Sequence, residues 1–212
     1  MEPTVEPIWL PNFPLWQTKL SDEILGPIKL EIDQIKSNFS SAISHNNYLV
    51  GNLDHSYELI ISKQQIEKLV LPMCLKYIRT YNYENLAKNL NFELELSKVW
   101  VNFQQRYEFN PCHSHSGDFS FIIWIDIPFS MGDEYAVAPG SKSAGLVPGH
   151  VCFYLTNTLG SILPYDFPAD KTFNNNMLLF PASFMHSVNP FYSTDSYRIS
   201  VSGNIEIITT IS

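Results

Sequence analysis

The sequence predicts an α+β chain in which a helical first half supports a β-sandwich or jelly-roll second half. Apolar residues recur with a 3.6-residue period up to about residue 80, the mark of amphipathic helices. After residue 92 that period is lost, and short alternating or continuous apolar runs follow one another, as strands do. No internal repeat, low-complexity run or linker separates the two halves. The prediction is one domain over 1–212, with 1–91 as mainly helical support and 92–212 as the β core.

In order, residues 1–20 are cut by Pro3, Pro7, Pro11 and Pro14. Ile8-Trp9-Leu10 reads as a strand closing a sheet edge, and Pro14-Leu15-Trp16 as an extended cover. The apolar positions 24, 25, 28, 32, 35 and 39 predict a helix over 21–39, which Pro27 either starts or kinks. The short apolar segment 48–53 is a strand or a substrate-facing loop. A second helix starts at Ser62, where Ser62-Lys63-Gln64-Gln65 has the capping-box pattern, and Pro72 bends it. A shorter helix is expected over 83–90. Strands are expected over 96–104, 119–127, 151–156, 177–180, 186–190 and 197–208. In the first, Val99, Val101 and Phe103 alternate with Trp100, Asn102 and Gln104, giving one polar-decorated face.

Composition narrows the function. With 21 acidic and 13 basic residues, net charge −8 and no basic cluster, nucleic acid is not an expected partner. Three scattered cysteines, no secretory pattern and no apolar run near the ~20 residues of a membrane span lead to the expectation of a soluble, cytoplasmic protein with no membrane partner. Gly-x-Ser-x-Gly, a glycine-rich phosphate loop and Cys-x-x-Cys are all missing.

The chemistry sits in Asn110-Pro111-Cys112-His113-Ser114-His115-Ser116-Gly117-Asp118, which runs into the apolar strand at 119–127. In an extended backbone, His113 and His115 share one face with Cα atoms about 6–7 Å apart, close enough to share a metal ion. Cys112 points the other way. His186 heads a later strand after the turn Pro181-Ala182-Ser183; it is either a third ligand delivered across the barrel or a buried core histidine. Twelve residues on, Arg198, Ser200, Ser202 and Asn204 alternate with Ile199 and Val201. An arginine on an inward face needs an anionic partner, and a guanidinium fork suits a carboxylate. No acidic residue is an obvious partner, so a carboxylate ligand is expected. His150 reads as structural or surface. His45 and His55 join the site only if their loop folds over its mouth.

These segments resemble the Fe(II)- and 2-oxoglutarate-dependent oxygenases, and within them a branch of small oxygenases common in marine bacteria and their phages. The resemblance rests on Trp100-Val101-Asn102, on His113-Ser114-His115 with the strand after it, on Phe180-Pro181-Ala182-Ser183, on His186-Ser187-Val188, and on Arg198-Ile199-Ser200 with Asn204. It covers roughly 96–206. It implies a double-stranded β-helix (jelly-roll or cupin-like), with the N-terminal helices packed on one sheet. It also implies Fe(II) and 2-oxoglutarate as cofactors, and a dioxygenase that hydroxylates a substrate C–H bond. The metal ligands it implies are His113, His115 and His186, and the cosubstrate residues are Arg198, Ser200 and Asn102. The chain departs from the usual His-x-Asp or His-x-Glu pattern at position 115. Either His115 replaces the carboxylate, which is the preferred reading and shifts metal preference toward zinc or nickel, or Asp118 supplies it.

Two other classes compete. A cupin-type metalloprotein also uses His-x-His and a distal histidine, but has no need of Arg198. A metal-free jelly-roll binding or structural protein would suit the 14% aromatic content, although aromatics mostly fill cores. The segment 129–149 reads as a long polar loop over the barrel mouth, with Asp133 and Glu134 facing a polar or cationic substrate, small molecule or peptide. The Pro-rich opening is a candidate homodimer edge. If the protein is phage-encoded, the expected location is the host cytoplasm.

Overall fold

The computed structural model describes residues 14–81, 91–140, 142, 143, 145, 147–157 and 159–210. The expected strand over 8–10, the expected helix over 83–90 and most of the Pro-rich opening lie outside these residues. Three α-helices and ten strands are described: β1 (Trp16–Lys19), α1 (Asp22–Ser37), β2 (Ser56–Glu58), α2 (Lys63–Thr80), β3 (Asn91–Gln104), β4 (Asn110–His113), β5 (Phe119–Asp126), α3 (Met131–Val137), β6 (Val151–Thr156), β7 (Ile162–Phe167), β8 (Asn176–Pro181), β9 (Met185–Val188) and β10 (Arg198–Thr210). No helix among the described residues is long and apolar enough to cross a membrane.

Helix α1 begins where Ser21 Oγ accepts from Ile24 N–H, with Asp22 and Glu23 in its first turn and Lys36 in its last, each placed to suit the helix dipole. Its buried stripe is Leu25, Ile28, Ile32 and Ile35, and Pro27 sits inside the helix rather than at its start. The expected capping box of α2 does not form. Ser62 makes no side-chain cap, and Gln65 donates instead to Ile24 O at 2.7 Å. The buried Glu31 carboxylate of α1 takes the backbone N–H groups of Ile60, Ile61 and Ser62 at 2.8, 2.9 and 2.7 Å. The carboxylate thus takes the Ser62 N–H that the Gln65 side chain would accept in a capping box, and it ties α1 to the segment leading into α2.

The strands form two antiparallel sheets. One has six strands in the order β1-β8-β5-β10-β3-β2, and the other four in the order β4-β9-β6-β7. Strand alternation sorts the residues of the larger sheet. Val99, Val101, Phe103, Phe119, Phe121, Ile123, Met177, Leu179, Val201 and Ile205 pack with α1 and α2. Trp124, Leu178 and Phe180 pack with Val151, Phe153 and Phe167 of the smaller sheet. Gly203 interrupts the helix-facing row of β10 because a Cβ there would lie 2.7 Å from the Phe121 ring and 2.8 Å from Lys98 O. The edge strand β1 begins at Trp16, inside the stretch expected to be mere cover. Strands β2, β4 and β7 went unpredicted because they are three to six residues long and lack clear alternation.

The segment 129–149 holds helix α3, started by Ser130, whose Oγ accepts from Asp133 N–H at 3.2 Å. This corrects the expectation of a polar loop facing substrate. Glu134 is 0% exposed; its carboxylate takes Tyr192 N–H at 2.7 Å, Ser193 N–H at 2.9 Å and the Ser193 hydroxyl. Removing it leaves these three partly buried donors without their acceptor, so Glu134→Ala should cost about 3 kcal/mol, read as a fall in the urea midpoint at unchanged slope.

Candidate metal and anion site

A cavity of about 420 Å3 is lined by residues of both sheets, from β3, β10, β9 and β6, and by the segments carrying His45, Leu49 and His115. His113 ends β4 and is the direct cross-strand partner of His186 in β9, with ring centroids 4.5 Å apart. His115 lies just past β4, held by its N–H bonding to Ala182 O at 3.0 Å. One ring nitrogen from each of His113, His115 and His186 falls within 4.8 Å of the others, and this is the group of metal-competent side chains found among the described residues.

Backbone carbonyls set the tautomers. His113 Nδ1 lies 2.7 Å from Pro111 O and His186 Nδ1 2.9 Å from Phe184 O. A carbonyl only accepts, so Nδ1 carries the proton in both and the lone pair is on Nε2. Burial, then the neighbouring His186 and His113, push the His115 pKa down to about 3. Burial, then His113, push His186 down to about 4, against the opposing Phe184 hydrogen bond. Both are neutral near pH 7, the form a metal requires.

Asp118 is elsewhere. Its carboxylate accepts from Ile207 N–H at 2.7 Å, its N–H bonds to Ile205 O and its carbonyl accepts from Ala182 N–H. Gly117, at φ +90°, makes this turn against Ile205 O, 2.9 Å from where a Cβ would sit. Cys112 is exposed and outside the cluster.

A second polar patch lies on the same cavity. In the β3–β10 register, Arg198 pairs with Gln104 and Ser200 with Asn102. Arg198 is 3% exposed. Its Nε and Nη2 donate to Gln104 Oε1 at 3.0 and 2.6 Å, Nη2 also to Asn189 O at 3.1 Å, and Nη1 to Gly149 O at 2.5 Å. Phe129 and Phe191 flank the guanidinium, each 5.7 Å from Cζ. Its acceptors are thus all neutral, and of the five N–H groups one on Nη1 is left over. Burial pushes its pKa down to about 10, with Glu134 opposing, so it remains a cation. Asn102 Oδ1 accepts from Ser56 Oγ at 2.9 Å, which leaves the amide nitrogen for the cavity. Gln104 was missed as a partner, although its place on the polar face of β3 was the available signal.

His45 stacks on Trp100, centroids 4.5 Å apart and planes at 12°, and the Trp100 ring lies 6.2 Å from that of His115. The loop carrying His45 therefore does fold over the site. His150 is buried, its Nδ1 2.9 Å from Pro148 O. His45 is held below the usual histidine range chiefly by burial, with Glu58 opposing. With His45, His115 and His186 all depressed, the unfolded chain binds more protons than the folded one below about pH 6.5. The metal-free protein should therefore melt at progressively lower temperature as pH falls from about 6.5 toward 4, a trend followed by calorimetry.

No protein-family model and no curated protein matches the sequence. Among solved structures, the fold is shared with prolyl hydroxylases. A Pseudomonas putida prolyl-4-hydroxylase aligns with TM-score 0.56 over 91% of this chain and 91% of that one, at 11% identity. A Trichoplax adhaerens prolyl hydroxylase, solved in complex with a hypoxia inducible factor oxygen degradation domain peptide fragment, aligns with TM-score 0.52 over 92% of this chain and 83% of that one, at 11% identity. At such identities the likeness is one of fold.

Proposed function

We propose that the protein is an Fe(II)- and 2-oxoglutarate-dependent dioxygenase on a double-stranded β-helix, with His113, His115 and His186 as metal ligands. The observation that carries this reading is the convergence of three imidazoles within 4.8 Å on a cavity that also buries a guanidinium hydrogen-bonded, among the described residues, only to neutral oxygens. The donor set fits a divalent ion: two rings have Nε2 free by tautomer, and three protein ligands would leave room for exogenous ones. Arg198, Ser200 and Asn102 are the residues assigned to 2-oxoglutarate, the leftover Arg198 N–H and the Asn102 amide serving its distal carboxylate. Bound Fe(II) and 2-oxoglutarate supply oxidative C–H hydroxylation with decarboxylation of the cosubstrate. The chain's part is to fix the imidazoles through Pro111 and Phe184, to present a cation in a dry pocket, and to exclude water with Phe153, Phe180 and Trp124. The fold shared with prolyl hydroxylases, one of them holding a peptide, supports this class and makes a peptide a reasonable substrate beside small molecules.

A second reading is a cupin-type metalloprotein that takes no 2-oxoglutarate. It is favoured by one observation: four Arg198 N–H groups are already bonded to protein oxygens. Anaerobic addition of Fe(II) and then 2-oxoglutarate separates the two. The dioxygenase reading expects a weak visible charge-transfer band and a thermal upshift on adding 2-oxoglutarate. Metal binding without either response would select the cupin reading.

A further inference from the structure

We propose that Trp100 and His45 form a substrate-recognition wall that binds an amide edge, Trp100 Nε1–H donating to its carbonyl oxygen and His45 Nε2 accepting from its N–H. This rests on the reading of the cavity as an active site. Both side chains line the cavity, and they are 4% and 3% exposed. Trp100 Nε1 is buried with no hydrogen-bond partner. An indole N–H taken from water without an acceptor is costly, and a ligand oxygen would relieve that cost.

His45 supplies the complementary group. Its Nδ1 lies 3.6 Å from Glu58 Oε1, just beyond hydrogen-bond range in this arrangement. Glu58 is itself fixed by Lys98 Nζ at 3.0 Å, and the Lys98 ammonium sits 3.6 Å over the Tyr48 ring. A carboxylate on the Nδ1 side favours the tautomer with the proton on Nδ1 and the lone pair on Nε2. The two rings stack at 4.5 Å and 12°, and both residues line the same cavity. That wall stands 6.2 Å, ring to ring, from His115, so a ligand held there lies beside the histidine cluster. Of the hydrogen-bonding groups on a substrate, a carboxylate has no donor and an ammonium no acceptor. A primary carboxamide carries one of each on a single edge, and an extended peptide presents the N–H and C=O of one residue on the same side, since those of a single trans amide point apart.

The test uses the full chain labelled with 15N at the indole nitrogens, and the Trp100 resonance is identified by its loss in Trp100→Phe. The probes are N-acetylalanine N-methylamide, acetamide, N,N-dimethylacetamide and isopropanol. A saturable downfield shift of the Trp100 indole proton is expected with the first two, the other three tryptophans staying still. N,N-dimethylacetamide, which lacks the N–H, should bind at least fivefold more weakly. His45→Phe, which keeps a stacked ring but removes the acceptor, should shrink that difference below twofold. Tighter binding of the dipeptide mimic points to a peptide substrate, and tighter binding of acetamide to a free or side-chain amide; either supports the proposal. No saturable shift with either amide, equal binding of N,N-dimethylacetamide, or isopropanol binding as well as acetamide overturns it. Cobalt(II) absorption measured on the same sample tells the two failures apart. Cobalt bound without an amide response sinks the wall alone, and an amide response without cobalt sinks the metal reading alone.

Discussion

His115→Ala should weaken cobalt(II) or iron(II) binding by about a hundredfold or more, since it removes one of three ligands where even the loss of an outer partner costs 10–100-fold. Asp118→Asn should leave that affinity within about twofold. The two residues compete for the same role in the sequence, and their surroundings separate them. His115 is drawn into the cluster by its N–H bond to Ala182 O. The Asp118 carboxylate is taken by Ile207 N–H at 2.7 Å, where an asparagine oxygen can accept equally well. Calorimetric titration of the metal into both variants reads the difference. Loss of binding in Asp118→Asn with binding kept in His115→Ala would reverse the assignment.

Arg198→Ala carries the second large effect, and it has two parts. Binding of 2-oxoglutarate to the metal-loaded protein should weaken at least tenfold, in keeping with loss of a charge-assisted hydrogen bond. Stability should also fall, by about 3 kcal/mol, because Gln104 Oε1, Gly149 O and Asn189 O all lose their donor. Arg198→Lys keeps the charge but not the fork, so it should recover part of the cosubstrate affinity and little of the stability. Unchanged 2-oxoglutarate binding in folded Arg198→Lys and Arg198→Ala would leave this guanidinium a purely structural group.

The sequence made the long-period features legible. The α1 stripe at 25, 28, 32 and 35 and the alternation around Val99 to Gln104 are direct prints of burial on one face, and both sit where expected. The placing of Arg198, Ser200, Ser202 and Asn204 on one cavity wall was likewise readable from period two. What was not legible depends on partners distant in sequence. Glu31 takes the N–H groups of residues 60–62, just before α2, from about 30 residues away, and nothing local in Ser62-x-x-Gln65 announces that it is outcompeted. Glu134 looks like a surface acid until Tyr192 and Ser193 come to it. The His45 stack needs a loop whose path no periodicity encodes. In sequence Arg198 looks as if it awaits an anion, because its hydrogen-bond partners, two backbone carbonyls and an amide, carry no charge signature.

The pairing of His113 with His186 has a consequence for how this chain can change. Strand β4 is four residues long and an edge strand, and its register against β9 shifts between Asn110 and His113. Strand side chains alternate, so a one-residue slip would turn His113 to the outside. Positions 111, 112 and 114 therefore have latitude in identity but none in number: a conservative exchange there leaves the imidazoles facing each other, while a single-residue insertion or deletion dismantles the cluster without altering any of its members. The site is specified by chain length as strictly as by chemistry.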